Sequence, residues 1–197
     1  MIRFLDILFS VLGLLILSPV FLMIMLIIPF DSKGGVFFIQ TRVGNNNRDF
    51  RLIKFRTMRS GAEGAGGLTI GARDSRITRM GYWLRRFKLD ELPKLINIVK
   101  GDMSFVGPRP ELRKYVDLYT PEQRKVLQIK PGLTDWASIE YFHENDILGK
   151  SASPEEAYIH TVMPVKISLN MKFIEKPSVC NYLRILGRTV TKVLIKS

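Results

Sequence analysis

The chain opens with a long apolar segment and then changes to short stretches in which apolar and polar residues are mixed. The apolar segment, residues 7–30, contains 24 residues and no charged side chain. A helix of that length crosses the roughly 30 Å hydrocarbon layer of a membrane, and the run is too long for a cleaved signal peptide. We therefore predict a membrane anchor over residues 1–30 and a folded, membrane-associated body over residues 31–197.

Ser18 and Pro19 interrupt the middle of the anchor. A proline at this point removes one helical hydrogen bond and predicts a break, and the Ser18 hydroxyl can bond to nearby backbone. One possibility is a kinked spanning helix, which is the more common arrangement. The other is a re-entrant helix-break-helix with halves of about 11–15 residues that enters and leaves by one face. In both cases the positive-inside tendency keeps the base-rich body cytoplasmic.

The body reads as an α+β fold that is mainly helical. Two short apolar runs, 36–40 and 50–55, flank a turn-rich Gly-Asn-Asn-Asn sequence and predict a small β-hairpin. Five glycines within residues 60–71 predict a loop, which is either filler or a lid over a substrate.

Helix signals recur through the rest of the body. Repeating bases with apolar residues on another side predict a basic amphipathic helix at the carboxyl end, which either contacts lipid or packs on the core. Helices are predicted over residues 77–87 and 165–176, and another runs from an N-cap at Asp90 to its end at Gly101. Two more helices are predicted to start at Thr120 and Ser153. The tail helix bears Arg184, Arg188, Lys192 and Lys196.

The charge is strongly positive and is confined to the body. The net charge is +12, and the anchor contains only Arg3 and Asp6. Such a body favours phosphates, nucleic acid or anionic lipid as partners. The aromatic residues are not interleaved with bases as in a nucleic-acid stacking platform, so nucleic acid is not predicted. Cys180 is the single cysteine and forms no internal disulfide, while His143 and His160 lack metal-ligand spacing.

The main candidate for chemistry is the adjacent pair Asp90 and Glu91. Between Arg73 and Lys94 the chain has seven bases and three acids, and two of the acids are this pair. A basic neighbourhood keeps a carboxylate ionised, and an ionised carboxylate among phosphate-binding groups acts as a nucleophile or a metal ligand. The competing interpretation is a helix start with salt bridges.

Two weaker motifs accompany the pair. Arg109 lies between Pro108 and Pro110 in a stiff loop, and arginine is suited to gripping phosphate. Lys54 and Arg56 lie on one side of a predicted strand. Taken alone, the Pro108-Arg109-Pro110 sequence is equally typical of a structural turn, and Lys54 with Arg56 is typical of a solvent-exposed face.

Taken together and in order, several motifs resemble the bacterial sugar transferases, specifically the small monotopic phosphoglycosyl transferases. The likeness runs over nearly the whole chain, and its long central run is the most specific part. It rests on Ser18-Pro19, Gln40-Thr41-Arg42-Val43-Gly44, Lys54-Phe55-Arg56-Thr57-Met58, Leu89-Asp90-Glu91-Leu92-Pro93-Lys94-Leu95, Lys100-Gly101-Asp102-Met103-Ser104-Phe105-Val106-Gly107-Pro108-Arg109-Pro110-Glu111 and Lys130-Pro131-Gly132-Leu133-Thr134.

The resemblance implies an enzyme of the bacterial inner membrane, with its catalytic domain on the cytoplasmic face. It implies transfer of a sugar-1-phosphate from a UDP-sugar to polyprenol (undecaprenyl) phosphate, with loss of UMP, at the start of glycan assembly. It also implies a re-entrant anchor broken at Ser18-Pro19, membrane lipid contact, a Mg²⁺ requirement and a covalent intermediate. Asp90 would be the nucleophile and Mg²⁺ ligand and Glu91 its partner, and the donor-binding residues would be Lys54, Arg56, Arg85, Pro108, Arg109 and Pro110.

The chain departs from the family pattern at several positions. Asp135 stands where the family often has glycine before Trp136, and the run Ala137-Ser138-Ile139-Glu140-Tyr141 follows where the family often has a polar Asn-Gly-Arg stretch. Asn170 and Asn181 stand where relatives often carry aspartate. These departures leave the sugar open. Two alternatives remain. One is a basic, membrane-anchored protein that binds nucleic acid or anionic lipid without chemistry, and the other is an enzyme that moves the sugar without its phosphate and releases UDP. The apolar anchor and basic tail allow a homodimer.

Overall fold

The computed structural model of this chain describes residues 1–61, 74–142, 144–175 and 177–196. The fold is α+β and mainly helical, as predicted. Most of the predicted glycine-rich loop, and His143, lie outside the described residues. The helices are α1 Ile2–Ile16, α2 Ser18–Asp31, α3 Arg79–Arg86, α4 Lys94–Lys100, α5 Arg113–Val116, α6 Trp136–Glu140, α7 Glu144–Gly149, α8 Pro154–Ala157, α9 Met163–Glu175 and α10 Val179–Lys196; the strands are β1 Phe37–Val43, β2 Asp49–Phe55, β3 Ser104–Val106 and β4 Gly132–Thr134.

The anchor is a bent pair of helices, α1 and α2, with a 62° angle between them. The Ser18 hydroxyl donates a hydrogen bond to the Leu15 carbonyl at 2.8 Å, and Pro19 lies in the first turn of α2, where it has no helical hydrogen bond to lose. The predicted break is therefore confirmed. Of the described helices, none is by itself both long and apolar enough to cross a membrane, whereas α1 and α2 together meet that test of length and composition.

The anchor packs on the body through its two charged residues. The buried carboxylate of Asp6 accepts hydrogen bonds from the Ser104 hydroxyl, the Phe105 amide and the Tyr182 hydroxyl, at 2.9, 3.0 and 2.8 Å. Arg3 donates at 2.6 and 2.9 Å to the Ile98 and Val99 carbonyls near the end of α4. The single acid of the anchor thus fixes α1 to β3 and α10.

The other side of the anchor is exposed and apolar. On α2, Ile24 and Ile28 are buried against Phe55 and Leu84 of the body. An exposed apolar face of this extent marks an interaction surface, here one suited to lipid. Its members include Phe4, Leu8, Leu12, Leu15, Ile16, Leu22, Leu26 and Phe30.

The predicted hairpin is present and longer than expected. β1 and β2 pair antiparallel from Phe37 opposite Phe55 to Val43 opposite Asp49. Asn46 and Asn47 adopt positive φ in the connecting turn, a conformation that asparagine tolerates better than most residues. Lys54 lies near the end of β2, next to Phe55.

A second, parallel pair of strands was not predicted from the sequence. β3 and β4 pair through Ser104 with Gly132 and Val106 with Thr134. The backbones come so close after β3 that a Cβ on Gly132 would lie 2.1 Å from the Gly107 nitrogen. Gly107 and Gly132, which belong to separate motifs, are therefore both required by this one close contact. The contact supports the loop of residues 107–111, called here the Arg109 loop.

The helix predicted to start at Asp90 begins later, and Asp90 is not its cap. Lys88 adopts φ 57°, residues Leu89–Glu91 form a 3₁₀ turn, and α4 follows with Pro93 at its N-cap. The Glu91 and Leu92 amides bond to carbonyls three residues earlier, those of Lys88 and Leu89, so this stretch is a 3₁₀ turn and regular α-helical bonding starts only after it. The predicted end at Gly101 is confirmed by its left-handed φ of 95°.

Two further helix predictions need correction. The predicted start at Ser153 is confirmed, but the helical segment continues from α8 through a π-helical turn, Tyr158–Val162, into α9, so no separate helix starts at 165. The π turn precedes Pro164, which cannot bond back to the carbonyl four residues earlier. Thr120 and Gln123 form the two reciprocal capping bonds, at 2.9 and 3.2 Å, but lead into a 3₁₀ helix.

The tail helix α10 packs on the core along one side. Tyr182 and Ile185 are fully buried, whereas Leu183, Val190 and Ile195 remain exposed. Core packing is thus shown for part of the helix, and contact of its exposed side with lipid stays a prediction.

Candidate active site

Asp90 and Glu91 lie in the 3₁₀ turn Leu89–Glu91 and line a cavity of about 210 Å³, called here the polar cavity. Asp90 is buried, at 8% exposure, and Glu91 is largely so. Cationic side chains from several elements converge on the same cavity, which suits it to an anion such as a diphosphate. They are Arg42, Lys54, Arg85, Lys88, Arg109 and Lys166.

Glu91 is the fixed member of the pair. Its Oε1 lies 3.0 Å from Lys94 Nζ and 3.4 Å from Arg109 Nη2. Burial alone would raise the pKa of Glu91, but the charges of Lys94, Arg109 and Lys54 outweigh it and hold this pKa well below its ordinary value. Glu91 is therefore ionised at neutral pH.

Asp90 is shifted in the opposite direction. Burial, and then the negative charge of Glu91, raise the pKa of Asp90, and Lys54, Arg85 and Lys94 offset only part of the effect. The expectation that basic neighbours hold a carboxylate ionised thus fits Glu91 better than Asp90. Two adjacent carboxyls with pKa values pushed apart are the pattern by which a site gives similar groups different roles.

Two buried lysines near the pair, Lys54 and Lys94, have lowered pKa values. Burial, and then repulsion from Lys94, lower the pKa of Lys54 well below its ordinary value. Burial also lowers the pKa of Lys94 to about 8, although Glu91 acts to raise it. An anionic ligand would stabilise the protonated form of both lysines.

The Arg109 loop is held by a polar contact that includes two of the departures from the family pattern. Asp135 Oδ2 accepts a hydrogen bond from the Arg109 amide at 3.1 Å and another from Asn170 Nδ2 at 2.7 Å. Asp135 Oδ1 also caps α6 by accepting from the Ser138 amide. The amide at 170 can therefore donate to the carboxylate at 135, whereas an aspartate at 170 would place two negative charges together. Asn181, another departure, lies apart from this contact in the first turn of α10.

The predicted donor-binding residues are only partly brought together. Lys54, Arg85 and Arg109 line the polar cavity, and Arg85 Nε donates to the Thr57 hydroxyl at 2.8 Å. Arg56 does not reach it, since its guanidinium donates at 2.6 Å to each of the Ser32 and Lys33 carbonyls just after α2. The structure therefore places Arg56 at the junction of anchor and body rather than at the Asp90-Glu91 pair, called here the dyad.

Pro108 and Pro110 lie behind Arg109. They line a separate small cavity against α9 and the 3₁₀ helix Gln123–Gln128 rather than the polar cavity. Their contribution is to the shape of the Arg109 loop.

Several cavity residues were not anticipated. Tyr158 donates a hydrogen bond to Glu111, whose other oxygen lies 3.9 Å from Arg42. Lys166 and Glu144 form an ion pair at 2.7 Å in the cavity wall. Glu111 ends the motif that contains Arg109 and was therefore recognisable, whereas Glu144 and Lys166 come from separate helices and carry no local signal.

The carboxylates also bear on the Mg²⁺ implied by the resemblance. Within the described part of the chain, no group of three or more His, Cys, Asp or Glu side chains could hold a metal ion unaided. Mg²⁺ usually takes one or two carboxylates and completes its shell with substrate phosphate oxygens and water. The oxygen donor of Asp90 in a cavity suited to a diphosphate fits that mode of binding.

Comparison with known proteins identifies the family to which this site belongs. The sequence model described as bacterial sugar transferase matches residues 1–196. The chain belongs to the bacterial sugar transferase family. Members of this family are membrane-associated sugar transferases.

Three curated relatives illustrate the similarity. The UDP-N-acetylgalactosamine-undecaprenyl-phosphate N-acetylgalactosaminephosphotransferase of Aeromonas hydrophila is 40% identical over 147 residues, covering 73% of this chain but 35% of that protein. The uncharacterized sugar transferase EpsL of Bacillus subtilis is 34% identical over 193 residues, covering 98% of this chain and 87% of that protein. The UDP-glucose:undecaprenyl-phosphate glucose-1-phosphate transferase of Caulobacter vibrioides is 33% identical over 195 residues, covering 98% and 69%.

Proposed function

We propose that the chain is a phosphoglycosyl transferase that moves a sugar-1-phosphate from a UDP-sugar to undecaprenyl phosphate and releases UMP. The observation that carries the proposal is the Asp90-Glu91 pair, with its separated pKa values, in a cation-lined cavity beside the anchor. The names of two relatives, which pair undecaprenyl phosphate with a sugar phosphate transfer, support it. The product, a polyprenyl-diphospho-sugar, would start assembly of a capsule, O-antigen, exopolysaccharide or glycoprotein glycan.

The reaction has two displacements at one phosphorus atom. An ionised Asp90 oxygen attacks the sugar-linked phosphorus, the bond to the bridging oxygen breaks, and UMP leaves with that electron pair. An oxygen of the lipid phosphate then attacks the same phosphorus, which breaks the acyl phosphate and restores the Asp90 carboxylate. Splitting the transfer allows a water-soluble donor and a membrane-bound acceptor to use the site in turn.

The surrounding residues reduce the repulsion between an anionic nucleophile and an anionic donor. Arg109, Lys54 and Arg85 would hold the diphosphate and stabilise the charge that develops on UMP. Since a phosphate oxygen leaves as an anion, no general acid is needed. Lys94 and Arg109 hold Glu91 in ion pairs, and Asp90 is the carboxylate that attacks the donor. Asp90 would hold Mg²⁺, and the ion would supply positive charge that offsets the negative charge of the donor.

The anchor would place this site at the membrane surface. We propose that α1 and α2 form a re-entrant pair on the cytoplasmic face, which brings the polar cavity to the level of lipid phosphates. The docking of α1 on β3 and α10 through Asp6 supports this arrangement, because a helix fixed to the body cannot also extend away from it across a bilayer.

The released nucleotide distinguishes the proposal from its alternatives. The protein, purified in detergent, is incubated with Mg²⁺, undecaprenyl phosphate and a panel of UDP-sugars. We expect UMP from at least one donor, loss of UMP by at least 1,000-fold in Asp90→Asn, and no loss in the exposed control Asp117→Asn. Release of UDP would instead indicate transfer of the sugar without its phosphate. Ligand binding without release of nucleotide would indicate a binding protein.

A further inference from the structure

A second cavity, called here the apolar groove, adjoins the polar cavity. It has a volume of about 410 Å³, within the range of small-ligand sites. Its walls are mainly apolar and come from α4, β3, β4, α6 and α10. They include Leu95, Phe105, Leu133, Ile139, Leu186 and Val190.

One end of the apolar groove meets the dyad. Lys88, Glu91, Arg109, Glu144 and Lys166 line both this groove and the polar cavity. A ligand in the groove would therefore have apolar surface along most of its length, and three cations with two carboxylates at the end nearest Asp90.

The groove wall is also the surface on which the anchor packs. At Gly13, α1 approaches the wall so closely that a methyl group there would lie 3.3 Å from Leu95 Cδ1. The ring of Phe105 meets Phe9 edge-on, with centroids 6.4 Å apart. The groove thus runs beside α1, whose outward face exposes Leu8 and Leu12.

This distribution identifies the chemical class of the ligand. Part of the polar lining is already engaged, since the Thr134 and Thr189 hydroxyls bond each other at 2.7 Å. A sugar in the groove would therefore leave many of its hydroxyl groups against apolar walls, which is costly. An isoprenoid chain gains free energy by leaving water for such walls, and its phosphate matches the cations at the dyad end.

We infer that the apolar groove holds the first isoprene units of the polyprenyl phosphate acceptor, with its phosphate between Lys88, Arg109 and Lys166. The inference rests on the proposed function and names the acceptor's route to Asp90. The lipid enters beside α1 from the exposed apolar side of the anchor. The donor occupies the polar cavity, and the donor and acceptor sites adjoin at Glu91 and Arg109.

A matched pair of variants on α10 tests the route. Val190 lines the groove and Leu183 does not, yet both are about half exposed, at 58% and 48%. We expect Val190→Lys to raise KM for undecaprenyl phosphate by about tenfold or more, because the ammonium group would enter the path of the chain. KM for the UDP-sugar should stay within twofold. Leu183→Lys adds the same charge to the same helix and should leave both constants within twofold.

A second measurement separates failure of this inference from failure of the proposed function. Undecaprenyl phosphate carrying a photoreactive group in its first isoprene units is irradiated with the full-length protein in nanodiscs, without donor. Labelling of the groove walls, and its loss in Val190→Lys, supports the inference whether or not turnover occurs. Labelling confined to the outer faces of α1 and α2, or equal effects of the two lysine variants, would overturn it. Absence of UMP release by the unaltered protein would count against the proposed function.

Discussion

At the scale of single residues, the site depends on how charges are paired rather than on which charges are present. Glu91 forms ion pairs with Lys94 and Arg109, and the pKa of the neighbouring Asp90 is raised. Asp135 and Asn170 form a second matched pair that holds the amide of Arg109. A change of charge in either pair should therefore affect the polar cavity without directly removing a reacting group.

Asn170→Asp tests the second pair. It places a carboxylate against Asp135, in a contact that is now 2.7 Å, and we expect a loss of about 1–3 kcal/mol in the free energy of unfolding at pH 7, with a higher KM for the UDP-sugar. Repulsion raises the pKa of the carboxyl pair in the folded state, so the folded state binds more protons than the unfolded state. The deficit should consequently grow as pH rises from about 4 to 7.

Asn181→Asp is the matched control for this variant. It makes the same change in the first turn of α10, where a negative charge is neutral or slightly favourable. We expect a change within about 0.5 kcal/mol in thermal or denaturant unfolding. Equal losses in the two variants, or a deficit that does not depend on pH, would show that the pairing of Asp135 with Asn170 does not hold the Arg109 loop.

At the scale of elements, sequence patterns predicted the parts that local chemistry determines. The break at Ser18-Pro19, the hairpin, the end of α4 at Gly101 and the start at Ser153 were all confirmed. The parallel pairing of β3 with β4 was missed because each strand has three residues and its partner lies in a distant motif. Arg56 was misplaced because alternation along β2 does not extend past the end of the strand at Phe55.

The candidate site shows the same division. The dyad, Lys54, Arg85 and Arg109 were singled out from motifs, since each lies within a contiguous run, and all of them line the polar cavity. The ion pair between Glu144 and Lys166 and the support of Arg109 by Asp135 depend on helices that meet only in the folded chain. The apolar groove could not be predicted either, because elements that are far apart in the sequence form its walls.

The docking of the anchor is an element-scale prediction. Asp6→Ala leaves the Ser104 and Tyr182 hydroxyls and the Phe105 amide without their acceptor, so we expect a loss of about 2–4 kcal/mol in stability. Limited proteolysis of the protein in nanodiscs should also release α1 from the body. Asp49→Ala removes an exposed ion pair with Arg113 and should cost about 0–1 kcal/mol. Similar losses in both variants would contradict the role given to Asp6.

At the scale of the whole molecule, two cavities of different character meet at one carboxylate pair beside an apolar anchor. The net charge of +12 belongs to the body, which would face both the phosphates of the substrates and an anionic membrane surface. Under the proposed function, this arrangement would let a water-soluble donor and a lipid acceptor use the same nucleophile in sequence. The central claim is therefore that Asp90 carries the phospho-sugar between them.

The most direct test is the intact mass of the protein after incubation with Mg²⁺ and UDP-sugars in the absence of any lipid acceptor. We predict a mass increase equal to one phospho-sugar, located on Asp90 and accompanied by an equal amount of UMP. The adduct should be absent from Asp90→Asn and should disappear from the unaltered protein when undecaprenyl phosphate is added. Turnover of the same donor and lipid with no adduct at Asp90, or an adduct that persists in Asp90→Asn, would contradict the account.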